Sequence, residues 1–228
     1  MERVTTQTPD VLEAVRGVRN AVADTALPVD VAPEARAIVN QLDDYVLPRL
    51  ANLDAPLLAV IGGSTGSGKS TLVNALLRER VSHPGVIRPT TRQPVLVANP
   101  GDADWFNSPQ VLPGLARSHG AGDEQSTTLR VVETHRIPEG LALLDAPDFD
   151  SIDDQNRALA SQLLAAADLW IFVTTPARYA DQLVWNFLHD AAGRGIEVAV
   201  VLNRLDDKAA ETVPDDLRRM MDDAGLSR

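Results

Sequence analysis

The sequence contains no cysteine, which excludes a disulfide framework and any cysteine-ligated metal site and agrees with a reducing compartment. Aromatic residues are scarce, at 4%, so a core must be built mainly from Leu, Val, Ile and Ala. Positive charge is in deficit: 21 Lys and Arg stand against 32 Asp and Glu, a net charge of −11. Broad contact with a nucleic-acid backbone needs clustered cations to release counterions, so no direct DNA binding is expected. No run of about 18 apolar residues occurs, so no helical bilayer span is expected. The first residues, Met1-Glu2-Arg3-Val4-Thr5-Thr6, lack the apolar run of a secretory signal, and a cytoplasmic location is the expectation.

What is present is the composition of a globular protein, 44% hydrophobic and 23% charged over 228 residues. Residues 10–53 read as a helical pair. Val11, Val15, Val18 and Val22 recur on one face of the first helix, and Leu27-Pro28 ends it. Pro33 suits the first turn of the second, where Ile38, Leu42, Tyr45 and Val46 form an apolar stripe. These stripes fit a neighbouring domain better than a membrane surface, because the polar faces carry mixed charge.

From Pro56 onward the pattern changes. Leu57-Leu58-Ala59-Val60-Ile61 is a continuous apolar run, as in a strand buried on both faces, and a Gly-rich turn and a helix over Ser70–Arg80 follow. Further strands are expected at Val95–Ala98, Leu129–Thr134, Leu141–Leu144, Leu169–Thr174 and Glu197–Leu202, with helices near 152–167 and 181–192. Such alternation predicts an α/β three-layer sandwich with a mostly parallel sheet, residues 56–228, preceded by an N-terminal helical segment, residues 1–55. Residues 99–126, rich in Gly, Pro, Asp and Ser, read as an insertion or mobile loop, with Trp105-Phe106 as its hydrophobic anchor. The histidines, His83, His119, His135 and His189, are scattered without ligand spacing.

The strongest signal is Gly63-Ser64-Thr65-Gly66-Ser67-Gly68-Lys69-Ser70, which fits the phosphate-loop pattern G-x-x-x-x-G-K-[ST] between a buried strand and a helix. Glycines let the backbone curl so that several N–H groups point at one anionic oxygen cluster. The helix that follows, with Thr71 in its first turn, adds its N-terminal partial positive charge. Lys69 is expected to reach the β- and γ-phosphates of a nucleoside triphosphate, and the Ser70 hydroxyl to ligate Mg²⁺.

Four further segments follow in order: Arg88-Pro89-Thr90-Thr91-Arg92, Leu143-Leu144-Asp145-Ala146-Pro147-Asp148, Thr174–Asp181 and Val200-Val201-Leu202-Asn203-Arg204-Leu205-Asp206. With them the chain resembles the P-loop GTPases of the translation-factor class, particularly Era-like and bacterial dynamin-like members, over roughly residues 56–226. The resemblance implies that Thr91, or its neighbour Thr90, ligates Mg²⁺ and senses the γ-phosphate in a first switch. It implies that Asp145 of the second switch holds Mg²⁺, and that Asp206 reads guanine N1 and N2 while Asn203 braces the loop and Arg204 covers the base. Asp148 stands where the family carries glycine, Phe149 where some members carry a water-orienting glutamine, and Gly66 where potassium-activated relatives carry asparagine. Thr174–Asp181 is only loosely similar to a loop that dynamin-like proteins use when two G domains meet; a plain strand-to-helix connection fits it better.

The resemblance therefore implies GTP and GDP as ligands and Mg²⁺ as cofactor. Turnover is expected to be slow alone and to rise with self-association, as in a homodimer through G domains, or with a partner. The last GTPase loop, after a sixth core strand, is not found before Arg228, so the G domain is expected to lack its last strand and to continue into a C-terminal region. Membrane or ribosome association through such parts remains open. Two other readings stay open as well. One is an ATP-binding P-loop ATPase or kinase, although no Leu-Ser-Gly-Gly-Gln-like signature occurs and residues 99–126 hold one arginine, Arg117. The other is a nucleotide-binding switch with little hydrolysis.

Overall fold

A computed structural model describes residues 8–26, 28, 31–82, 93–109, 111–120, 128–150, 154–194 and 196–226. Helix α1 (Thr8–Asp24) and α2 (Ala32–Gln41) lead through a π-helical stretch at Leu42–Val46 into α3 (Leu47–Ala51). The α/β portion then runs β1 (Leu57–Gly63), α4 (Lys69–Leu77), β2 (Val95–Ala98), α5 (Ala103–Asn107), β3 (Arg117–Ser118), β4 (Leu129–Glu133) and β5 (Leu141–Asp145). It continues α6 (Asp154–Ala165), β6 (Leu169–Thr174), α7 (Gln182–Arg194), β7 (Glu197–Leu202) and α8 (Asp207–Asp223).

The described strands form one sheet in the order β3-β4-β2-β5-β1-β6-β7. Strands β5, β1, β6 and β7 are mutually parallel, whereas β2 pairs antiparallel with β5 and carries β4 and β3 in its own direction. Alternate residues of each strand face opposite sides. Leu58 and Val60 of β1 join Leu96, Leu144, Leu163 and Trp170 in one core, while Ala59 and Ile61 join Val73, Leu77, Val97 and Val173 in another. A sheet buried on both faces under helices is the three-layer sandwich that the apolar runs implied.

Parallel strands put their carboxyl ends on one edge. The connections after β1, β5, β6 and β7 emerge there side by side, with Ile61 opposite Asp145, Gly63 opposite Val173 and Thr174 opposite Leu202. The π-helical stretch and α3 pack at the other edge. Arg49 bonds the Asp168 carboxylate just ahead of β6 and donates to Ala55 O (2.7 Å), and Gln162 of α6 donates to the buried Asp44 (3.2 Å).

Within 99–126, the described residues 99–109 and 111–120 are not the open loop their composition suggested. A 3₁₀ turn at Pro100–Asp102 and α5 order the start, and Phe106 is fully buried in the core with Trp105 packed beside it. Arg117 explains how so polar a stretch holds its shape. Its guanidinium donates to the carbonyls of Phe106 (3.1 Å), Ser108 (3.0 Å) and Leu112 (3.0 Å), and also to those of Val111 and Leu115. Burial lowers its pKa. Replacing Arg117 by methionine keeps the bulk and strands those carbonyls, so chemical denaturation should report a loss of about 2–4 kcal/mol.

Candidate functional site

Residues 64–68 leave β1 at the carboxyl edge and turn into α4. Two glycines have no substitute there. Gly63 has φ +154° and a Cβ would strike the Val173 carbonyl; Gly68 has φ +101° and a Cβ would strike the Asn203 amide. These contacts let strand and loop approach closely. Ser64, Ser67 and Lys69 are buried, Thr65 and Ser70 half-buried, and Gly66 and Thr71 exposed.

Lys69 folds back over its own loop, donating from Nζ to Gly63 O (2.8 Å) and Ser64 O (3.1 Å) and pairing with the Asp148 carboxylate. Two residues on, Asp150 takes the Thr65 N–H (2.7 Å) and the Thr65 hydroxyl (2.8 Å) on Oδ1, and Arg178 (2.7 Å) on Oδ2. Phe149 lies between them and points the other way, buried against Phe172 (centroids 5.3 Å) and Phe187 (4.9 Å). With this ring anchored in the core, the carboxylates on either side of it both reach the loop. Asp148, standing where the family carries glycine, thus faces the phosphate site and does not turn away from it.

Asp145 ends β5 fully buried. Ser82 donates to its Oδ2 (2.6 Å), while Oδ1 accepts no hydrogen bond of normal geometry among the described residues. Burial raises its pKa; the Ser70 and Ser82 hydroxyls and the Lys69 charge oppose that, and Asp148 adds to it. Asn74 fixes Ser82 in place, accepting from the N–H groups of Val81 (2.9 Å) and Ser82 (3.0 Å) and donating to Ser82 O (2.7 Å). An orphaned, buried carboxylate oxygen beside a serine hydroxyl is a hard oxygen donor set, which fits Mg²⁺. Among the described residues no cluster of three or more His, Asp or Glu stands together.

After β7, Asn203 donates from Nδ2 to Ser67 O (2.8 Å) and accepts the Arg204 N–H (2.9 Å) on Oδ1. The side chain at 203 therefore ties its loop to the phosphate loop. Arg204 takes a left-handed φ of 59° and is exposed. Asp206 caps α8, its Oδ1 accepting the Ala209 N–H (2.7 Å). Thr90 and Thr91 lie outside the described residues.

The described residues among those read from the sequence thus gather at one edge. Three participants had not been singled out for the site: Ser82, Asp150 and Arg178. Asp150 carried a signal in the spacing Asp145-x-x-Asp148-x-Asp150, acidic positions just past a buried strand. Ser82 had none, since only folding brings it to Asp145.

The family described as 50S ribosome-binding GTPases matches residues 58–204, and the chain belongs to that family, a P-loop GTPase fold. No curated protein matches it in sequence. Among solved structures, an oligomerised bacterial dynamin pair, described in terms of long-range sensing and tethering of membranes, aligns at TM-score 0.51 and 14% identity. That alignment covers 100% of this chain and 38% of the other, so the chain spans well under half of that protein. Era, solved with MgGDPNP and a 16S ribosomal RNA segment, aligns at TM-score 0.42 and 17% identity over 72% of this chain and 47% of its own. Toc33 from Arabidopsis thaliana, as a dimerisation-deficient mutant, aligns at 0.45 and 16% over 89% and 74%. No helix among the described residues is long and apolar enough to cross a membrane.

Proposed function

We propose that this chain binds GTP and hydrolyses it to GDP and phosphate with Mg²⁺, slowly by itself and faster on self-association or with a partner. The observation that carries the reading is the Asn203–Ser67 bond, which locks the candidate base-reading loop onto the phosphate loop within one site. Residues 56–228 act as the G domain and 1–55 as an attached helical segment.

Lys69, once turned from its present partners, neutralises charge on the transferring phosphoryl group, and the N–H groups of residues 64–70 hold the phosphates. Ser70 and Asp145, with Thr91, would hold Mg²⁺, which when bound supplies further charge neutralisation. Asp206 keeps Oδ2 for the guanine N1 and N2 hydrogens while Oδ1 caps α8. Arg204 lies next to it with a planar group suited to stacking on a base.

The core position of Phe149 supports slow turnover, because the side chain after Asp148 contributes nothing to orienting water. The same observation favours a second reading, a nucleotide switch with little hydrolysis. Phosphate release from GTP, followed over a wide range of protein concentration, separates the two. A specific rate that climbs with concentration, and changes little when K⁺ replaces Na⁺, fits the first reading. Tight binding without release fits the second, and a fast, concentration-independent rate contradicts both. A cytoplasmic setting, a homodimer through G domains, and membrane or ribosome association in a longer protein are compatible extensions of this proposal.

A further inference from the structure

We infer that Asp148–Asp150 is an internal anionic plug: its two carboxylates hold phosphate-loop donors that a nucleotide needs, so guanine nucleotide must displace the segment to bind. The inference rests on the nucleotide-binding reading above and adds what sets the affinity of that site.

The lysine of a phosphate loop has one task, to place its ammonium against phosphate oxygens. Here that ammonium is engaged by Asp148, with two loop carbonyls completing its shell. The pair is shielded, the side chains being 6% and 13% exposed, so it is screened little by solvent. A carboxylate at this place and a phosphate cannot share Lys69 without like-charge repulsion in a partly dry site. The second carboxylate, Asp150, occupies the Thr65 N–H and hydroxyl on the other limb of the loop. Arg178, from the connection after β6, fastens Asp150 from the outer side. Phe149 anchors the segment between them in the core. The three elements together hold the site closed on itself, with protein carboxylates standing where phosphate oxygens belong.

A plug makes opposite-sign changes when it is weakened. Asp148→Asn removes a favourable pair from the nucleotide-free state and a repulsion from the bound state. The nucleotide-free chain should therefore melt lower while its affinity for GTP rises. A side chain that merely supported the loop would lower both.

The test is titration of wild type, Asp148→Asn and Asp150→Asn, as full chains with Mg²⁺, against a fluorescent GTP analogue, with thermal melting of the nucleotide-free proteins. Expected are lower melting temperatures and GTP affinities about tenfold higher for Asp148→Asn, and higher to a smaller extent for Asp150→Asn, the size of one charge-assisted hydrogen bond. Both variants are near-isosteric, and far-ultraviolet circular dichroism checks that they fold. Wild type that binds, with variants that bind no tighter, overturns the plug and leaves the nucleotide reading standing. Absence of binding by all three overturns both.

Discussion

Substituting Lys69 by alanine is expected to weaken GTP binding by at least about 100-fold, since it removes a charged donor that should meet the phosphates. The same change should lower the stability of the nucleotide-free chain, an effect that a solvent-exposed lysine would not produce. Lys69 and Asp148 are both largely buried, and removing one partner of a buried pair leaves an uncompensated charge, at a cost of about 3–5 kcal/mol where burial is complete. Because Asp148 retains some exposure, a loss of about 2–3 kcal/mol in denaturant unfolding is the expectation. Adding Asp148→Asn should recover most of the stability but only that part of the binding lost to repulsion between Asp148 and phosphate. Full recovery of both would mean that Lys69 serves the fold and not the ligand.

Asp145→Asn should act in the opposite direction on stability. Its carboxylate is buried with one oxygen unpartnered, and burial raises its pKa above the usual carboxylate value. The folded chain therefore holds this proton more tightly than the unfolded one. Stability contributed by the protonated form is present below the usual carboxylate range and is lost as pH rises through the raised pKa. Where the group is ionised its burial is a liability, and the neutral amide should raise the melting temperature of the metal-free protein. The gain should shrink as pH is lowered toward the range where Asp145 is protonated. The variant should also lose any extra stabilisation that Mg²⁺ gives the nucleotide-bound wild type. A melting temperature that falls on substitution would show that the orphaned oxygen is not destabilising.

Much of this fold was legible because strands buried on both faces leave a strong trace. The apolar runs at 57–61, 141–144, 169–174 and 197–202 mark all four of these parallel strands, and the helices between them follow from the need for crossovers. The direction of β2, β3 and β4 was not legible: Val95–Ala98 has the same side chains whichever way it runs. Arg117 was read as one arginine in a polar loop, and only the folded backbone shows five carbonyls converging on it. At the site, the phosphate loop was readable because its glycines answer to local sterics. The neighbour relations were not. Phe149 looked like a missing catalytic group, whereas it is a core residue whose burial turns Asp148 and Asp150 toward the loop. Such an arrangement depends on which strand lies alongside, and no local pattern encodes that.

If the loop at 63–70 and the turn at 203–206 make one guanine nucleotide site, the affinities of the full chain for GTP and ATP, measured side by side with Mg²⁺, will differ. A carboxylate that accepts guanine N1 and N2 hydrogens, and meets no equivalent pair in adenine, should favour GTP by about 100-fold. Asp206→Ala should remove most of that preference while leaving ATP binding little changed. Equal affinities, or tighter binding of ATP, would contradict the account.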